Sequence, residues 1–119
     1  MRRSIITALT ISLLVAANAT SAFAFGAIAV NDVQGMSAEE AGYGLGWGST
    51  QQEAESNAVN ECKSAGNDEC RVAVWFEQCG AYAGDRVNFG IGYGESKQVA
   101  EKMALESCPN CKIIVSDCQ

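Results

Sequence analysis

Two short segments of the chain alternate strictly between glycine and a large apolar residue. Residues 42–48 read Gly-Tyr-Gly-Leu-Gly-Trp-Gly, and residues 89–94 read Phe-Gly-Ile-Gly-Tyr-Gly. A period of two predicts β-strands in which the large side chains share one face and the glycines share the other. Because isolated glycines weaken a strand, a whole row of them indicates that another backbone approaches that face closely.

A helix is predicted after each of these strands. Thr50 and Ser96 are suitable N-caps, and Thr50 with Glu53 has the spacing of a capping box. Small residues then recur at every fourth position, which places them in one stripe along each helix. Such a stripe would let a helix pack closely on a glycine row. The two stripes are Ala54, Ala58 and Cys62 in the first helix, and Ala100, Ala104 and Cys108 in the second.

The chain also repeats itself. A shift of 46 positions superposes both the glycine rows and the alanine stripes. The pattern predicts a tandem β-β-α-β repeat, with copies at residues 25–79 and 80–119 of a single domain. We expect an α+β fold in which one mostly antiparallel sheet of about six strands carries two helices around a pseudo-two-fold axis. The remaining strands are predicted at 27–30 and 72–76 in the first copy, and at 81–83 and 113–115 in the second.

The first 24 residues have the features of a secretory signal peptide. Two arginines precede an apolar run from Ile5 to Ala17, and Ala22-Phe23-Ala24 supplies small residues at a cleavage site. We therefore expect cleavage after Ala24 and a secreted or periplasmic mature chain that begins at Phe25. We expect no membrane span in that chain, because it has no other apolar segment of sufficient length.

Charge narrows the range of partners. The whole chain has a formal net charge of −6, and removal of Arg2 and Arg3 would leave −8. An acidic protein repels nucleic acid and anionic lipid, so we expect no nucleic-acid partner. A basic protein or a cationic cell-wall component is electrostatically favoured.

Six cysteines lie in the predicted mature chain, and an even number in an exported protein predicts three disulfides. Two sets of pairs respect the repeat. We favour the first set, and the second stays open. The first set is Cys62–Cys70, Cys108–Cys111 and Cys79–Cys118, and the second is Cys62–Cys79, Cys108–Cys118 and Cys70–Cys111.

Taken together, these features resemble the family called domain of unknown function 4189. The similarity rests on the segment Gly26 to Val30, the glycine strand at 42–48, the Ala-Glu-x-x-Ala helix that ends at Cys62, and the segment Cys70 to Phe76. It covers essentially the whole predicted mature chain. The resemblance implies a small secreted bacterial protein or an accessory module, and it brings no catalytic residues. The second copy departs from the pattern, with Ser-Asp at 116–117 in place of a Trp-Phe pair.

Few residues are candidates for catalysis. The absence of histidine excludes Ser-His and Cys-His nucleophile pairs and imidazole metal ligands. Cys108 and Cys111 have the C-x-x-C spacing of thiol oxidoreductases. They lie at the C-terminal end of a predicted helix, where the helix dipole disfavours a thiolate. We therefore expect a structural disulfide. Glu55 and Glu101 occupy equivalent positions in the two copies. A two-fold axis could bring their carboxylates together as the paired acids of a hydrolase, although we expect both residues on solvated helix faces. We predict no metal site and no cofactor.

The large aromatic side chains form the remaining candidate site, a binding face. They either pack in the core or form an exposed platform for a glycan or a protein. The residues of this face are Tyr43, Trp47, Trp75, Phe89 and Tyr93.

Three classes of function are compatible with these features. The leading hypothesis is a non-catalytic binding protein that inhibits or protects a cationic partner, such as a cell-wall hydrolase. It rests on the acidic charge, the disulfides and the absence of histidine. The alternatives are an enzyme, either a carboxylate-based hydrolase or a thiol oxidoreductase, and a structural or adhesive surface module.

Overall fold

The computed structural model describes residues 23–119, in which six strands and two helices follow the order β-β-α-β twice. The export signal predicted for residues 1–24 lies outside the described residues, apart from Phe23 and Ala24. The first repeat contains β1 (Phe25–Asn31), β2 (Gly42–Gly48), α1 (Gln51–Ser64) and β3 (Arg71–Phe76). The second contains β4 (Cys79–Gly84), β5 (Phe89–Gly94), α2 (Lys97–Ser107) and β6 (Lys112–Cys118).

Both helices begin where their sequence predicts. The Thr50 hydroxyl accepts a hydrogen bond from the backbone N–H of Glu53 at 3.1 Å, and the Ser96 hydroxyl accepts one from Val99 at 3.1 Å. Each cap satisfies one of the backbone donors that the first turn of a helix leaves free. After α1, Gly66 adopts a φ of 97°, a conformation that glycine reaches without strain. Within residues 23–119, neither helix has the length and apolar character needed to cross a bilayer.

The six strands form two separate antiparallel sheets, one from each repeat. The strand order is β2-β1-β3 in the first sheet and β5-β4-β6 in the second. The α+β class, the tandem repeat and the antiparallel pairing are confirmed, but the strands do not join into a single sheet as we expected. The physical reason is that one sheet would leave the large side chains of β2 and β5 facing water, whereas two stacked sheets cover Leu45, Trp47 and Ile91.

The glycine rows face the helices, and the backbones are in contact. A Cβ atom added to Gly46 in β2 would collide with the backbone of Ala58 in α1. One added to Gly92 in β5 would collide with the backbone of Ala100 in α2. A backbone atom cannot rotate away as a side chain does, so only glycine permits this separation of strand and helix.

Larger side chains fill the space between the two sheets. Ile28, Val30 and Phe76 of the first sheet share a buried cluster with Tyr82 and Val115 of the second. The alternate residues of the central strands β1 and β4 are alanines that pack against α1 and α2 instead. The layers are therefore helix, sheet, sheet, helix, with small residues in the two outer interfaces and large residues in the middle.

Each of the three disulfides lies within one half of the molecule, because Cys79, the last residue of the first predicted copy, begins β4 of the second sheet. Two of them tie the end of a helix to the strand that follows, and the third joins β4 to β6. This is the first of the two sets that the repeat allows. The pairs are Cys62–Cys70, Cys108–Cys111 and Cys79–Cys118. None of them crosses between the sheets. The two halves are joined by their shared core, by the chain at residues 77–78, by the ion pair between Lys112 and Glu39, and by hydrogen bonds between Arg86 and the backbone of Gly35.

One buried hydrogen bond also links the two halves. The hydroxyl of Tyr82 in β4 donates to the carboxylate of Asp32, which follows β1, at 2.6 Å. The Tyr82 side chain is only 1% exposed. Burial raises the pKa of Tyr82 well above its usual value, and the hydrogen bond and negative charge of Asp32 raise it further. The folded protein therefore holds this hydroxyl in its neutral form.

Gly92 and Gly94 provide a matched test of the backbone contact. In Gly92→Ala the new methyl meets the backbone of α2, and we expect a loss of about 3 kcal/mol or more in the free energy of unfolding. In Gly94→Ala it meets the half-exposed side chain of Val99, which can move, so the loss should stay near 1 kcal/mol. Denaturant unfolding followed by circular dichroism measures both losses. Equal losses would contradict the proposed difference between the two sites.

The raised pKa of Tyr82 predicts a loss of stability at alkaline pH. Below about pH 10 the tyrosine is neutral in both states, whereas above it the unfolded chain ionises and the folded chain resists ionisation. The free energy of unfolding should therefore fall by up to about 1.4 kcal/mol per pH unit as the pH rises beyond 10. Tyr82→Phe should cost about 1–3 kcal/mol at neutral pH but lose this alkaline slope.

Urea unfolding of both proteins between about pH 8 and pH 11 separates this slope from the titration of other groups. Parallel curves for the wild type and Tyr82→Phe would show that the Tyr82 hydroxyl does not cause the alkaline loss.

Candidate functional site

An open groove of about 690 Å³ lies between the two sheets at one side of the sandwich. One wall consists of residues 73–78, which belong to the last part of β3 and the link to β4. The other wall comes from β5 and the residue after it, with Ile91, Tyr93, Gly94 and Glu95. The groove therefore takes one wall from each repeat, where the edge strand β3 lies against the edge strand β5.

The groove has an apolar interior and an acidic rim. Trp75 and Tyr93 both line it and are 41% and 53% exposed. The Trp75 ring also packs on Phe25 at the α1 side of the first sheet, with ring centroids 6.0 Å apart. Glu77 and Glu95 also line the groove, and because both are exposed we place them at its rim; no lysine or arginine lines it. Both carboxylates also border a neighbouring cavity that contains Lys97. The arrangement suits a ligand that is apolar in one part and positively charged beside it.

A break in the repeat explains why the groove is open. In the first sheet, Trp47 and Phe76 both lie beside Gly26 in β1, and their rings pack edge-on with centroids 5.6 Å apart. In the second sheet, the equivalent row holds Tyr93 and Asp117. Asp117 offers no ring for Tyr93 to pack on, so Tyr93 stays half-exposed and lines a groove instead of filling a core.

The structure brings together two of the five aromatic residues predicted as a binding face. Trp75 and Tyr93 line the groove. Trp47 packs in the core between the sheets, and Phe89 stacks on a buried tyrosine. Tyr43 lies beside a separate, smaller cavity between β2 and β6. These residues therefore do not form one continuous face.

The two rim carboxylates were not among the residues that the sequence singled out. Glu77 and Glu95 each follow the end of a strand, but they are not equivalent positions in the repeat. Only the stacking of β3 on β5 brings them to one groove. The sequence contains only a weak signal for these two residues, since each is an acidic residue directly after an apolar strand.

Glu55 and Glu101 do not form the carboxylate pair that a hydrolase would need. Helix α1 covers the outer face of the first sheet, and α2 covers the outer face of the second, so both sheets lie between the two carboxylates. Glu55 accepts a hydrogen bond from Gln51 at 3.2 Å, and Glu101 accepts one from Ser116. The two carboxylates therefore lie on opposite outer sides of the molecule, and each forms its hydrogen bond within its own repeat.

The disulfide Cys108–Cys111 closes the C-terminal end of α2, where the helix dipole is negative. The Asp85 carboxylate lies 3.9 Å from the Cys108 sulfur. The backbone N–H groups of Asn88 and Val87 hold the pKa of Asp85 below its usual value, so this carboxylate is charged. Asp85 and both sulfurs are close enough to surround an ion, but sulfurs in a disulfide supply no thiolate ligand. The dipole and the carboxylate both oppose a thiolate at Cys108.

Comparison with known proteins identifies a family and a fold. Residues 25–118 match the family described as Domain of unknown function (DUF4189). No curated protein matches the chain. Among solved structures, the NMR structure of Rv1813c from Mycobacterium tuberculosis is similar, with a TM-score of 0.57 and 21% sequence identity over 100% of this chain and 95% of that chain. At this identity the likeness shows a shared fold only.

The contact between Asp85 and Cys108 predicts a disulfide that resists reduction at alkaline pH. Near pH 10, above the usual cysteine pKa of about 8.5, reduction of Cys108–Cys111 produces thiolates. In glutathione buffers at this pH, Asp85→Asn should shift the equilibrium toward the reduced form by a factor of about three, because a partly screened negative charge no longer opposes the thiolate. Near pH 7 the reduced cysteines are neutral thiols, and the equilibrium should stay unchanged. The asparagine oxygen still accepts the two backbone hydrogen bonds. Asp68→Asn, on an exposed residue between α1 and β3, is the control. An unchanged equilibrium in Asp85→Asn at the alkaline pH would show that the carboxylate does not influence this disulfide.

Proposed function

The chain belongs to the family Domain of unknown function (DUF4189), and we propose that it acts as an exported, non-catalytic protein that binds an apolar, positively charged segment of a partner protein. The observation that carries this proposal is the groove, whose lining combines the exposed aromatic residues Trp75 and Tyr93 with the acidic residues Glu77 and Glu95.

Aromatic side chains that remain half-exposed in a concave site are typical anchors of binding surfaces. They bury a large apolar area while losing little conformational entropy. Trp75 and Tyr93 come from different sheets, so a ligand in the groove would contact both halves of the molecule. The rim carboxylates would then attract a lysine or an arginine next to that side chain.

The charge of the whole molecule supports the same class of partner. The formal net charge of −6 favours encounters with basic proteins, and this long-range attraction weakens as salt increases. A basic cell-wall hydrolase is a partner of this kind that an exported protein would meet. Binding at its surface would inhibit or protect it.

The positions of the two sets of candidate catalytic residues favour binding over catalysis. Glu55 and Glu101 lie on opposite outer faces of the sandwich, and Cys108 is placed where a thiolate is disfavoured. The disulfides hold loops and strands within each repeat, which suits a preorganised binding surface.

Calorimetric titration with lysozyme, a basic cell-wall hydrolase, tests the proposal. We expect binding at low salt that weakens at least about tenfold near 0.5 M salt, where the Debye length is only a few ångströms. The double substitution Glu77→Gln with Glu95→Gln should weaken low-salt binding about tenfold and flatten the salt dependence. Trp75→Ala should weaken binding at both salt concentrations, because it removes an apolar anchor. A parallel assay of cell-wall lysis reports inhibition.

The matched control is Glu61→Gln with Glu69→Gln, which removes two exposed charges that do not line the groove. It should leave the affinity within about twofold of the wild type. If this control weakens binding as much as the groove variant does, net charge alone attracts lysozyme and the groove is not the site. Absence of binding at low salt would contradict the proposal for this partner.

A further inference from the structure

The groove runs along the edge of β3 and not across one of its faces. Successive side chains of a strand point to opposite faces, so a groove on one face would contact every second residue. Here, four consecutive residues of β3, 73–76, line it, together with residues 77–78 that follow the strand. This pattern places the backbone edge of β3 in the wall of the groove.

That edge of β3 is free. In the described part of the chain, β3 pairs only with β1, and no strand lies on its other side. Half of the N–H and C=O groups of an edge strand point away from its partner and remain available to another chain. The six residues of β3 offer an edge of about 20 Å.

β5 forms the other wall of the groove, opposite this edge. Ile91 and Tyr93 lie two positions apart in β5 and therefore share the face that lines the groove, and Gly94 and Glu95 complete this wall at the end of the strand. An extended peptide that paired with β3 would therefore lay every second side chain over Ile91 and Tyr93.

The composition of β3 leaves the edge poorly protected. Edge strands are commonly blocked by lysine, proline or a covering loop. Residues 71–76 read Arg-Val-Ala-Val-Trp-Phe, with an arginine only at the first position. A bulge at Ala73 is the one irregularity in its pairing with β1, and Val74 to Phe76 continue beyond it beside the groove.

We propose that the partner binds as an extended strand that pairs with the free edge of β3 and turns the first sheet into a four-stranded sheet. This inference rests on the proposed function and specifies the conformation and pattern of the bound segment. Apolar residues of that segment alternate with lysine or arginine. The apolar side chains lie over Ile91 and Tyr93, and a cationic side chain lies near Glu77 or Glu95.

Three blocked heptapeptides test the mode of binding. The first has the sequence Lys-Val-Lys-Phe-Lys-Val-Lys. The second is N-methylated at the backbone of its apolar residues, and the third at the backbone of its lysines. The N–H groups of alternate residues lie on opposite edges of a strand, so each methylated peptide has only one edge blocked. We expect the unmodified peptide to bind, one methylated peptide to lose affinity at least tenfold, and the other to stay within about twofold.

Amide hydrogen exchange identifies the edge that is used. In the complex with the unmodified peptide, the fast-exchanging amides of β3 should be protected about tenfold or more, since a paired N–H exchanges only when the added strand dissociates. The amides of β6, which is also an edge strand but does not line the groove, serve as the internal control.

The outcomes separate this inference from the proposed function. Equal affinity of all three peptides, or binding without protection of β3 amides, would overturn strand addition while leaving the groove as a site for cationic, apolar ligands. Failure of the unmodified peptide to bind would also overturn the inference, because the peptide meets every stated requirement. The lysozyme titration with the groove variants tests the proposed function separately.

Discussion

In each repeat a helix packs on a strand at a distance that only glycine permits, and the arrangement of the layers follows from this contact. Gly46 and Gly92 bring the backbones of β2 and β5 against α1 and α2. With every second position occupied by glycine, the large side chains of these strands must lie on the opposite face. A single three-stranded sheet cannot bury that face, so the two sheets stack on each other. Helices on the outside and large residues in the middle are both consequences of the glycine rows.

The middle layer cannot be fully symmetric, although the chain repeats. Gly26 and Gly80 are equivalent positions in the two central strands, and the ring of Phe76 contacts both of them. A second phenylalanine at the equivalent position would have to occupy space that this ring already fills. The chain has Asp117 there, and Tyr93 consequently lacks the partner ring that Trp47 has. The groove is thus a consequence of stacking two copies of one unit around a centre that accepts a single large side chain.

The elements of the fold were predictable from the sequence because their signals are local. Glycine alternation, the caps at Thr50 and Ser96, and the alanine stripes act within one turn or one strand, and the structure confirms them. The division into two sheets depends on which distant strands meet, and no local pattern encodes that choice. The groove was harder still to predict. Trp75 is notable by its type alone, but Glu77 becomes part of a site only when β3 lies against β5.

The groove takes its shape from the packing of the two halves on each other. Each disulfide stabilises one repeat, so none of them directly sets the separation of β3 from β5. That separation depends on the packing of Phe76 between the sheets, while the hydrogen bond between Tyr82 and Asp32 joins the halves beside a different cavity. A segment bound between Trp75 and β5 would add a further contact between the two halves. Binding in the groove and the association of the halves are therefore thermodynamically linked, and each stabilises the other.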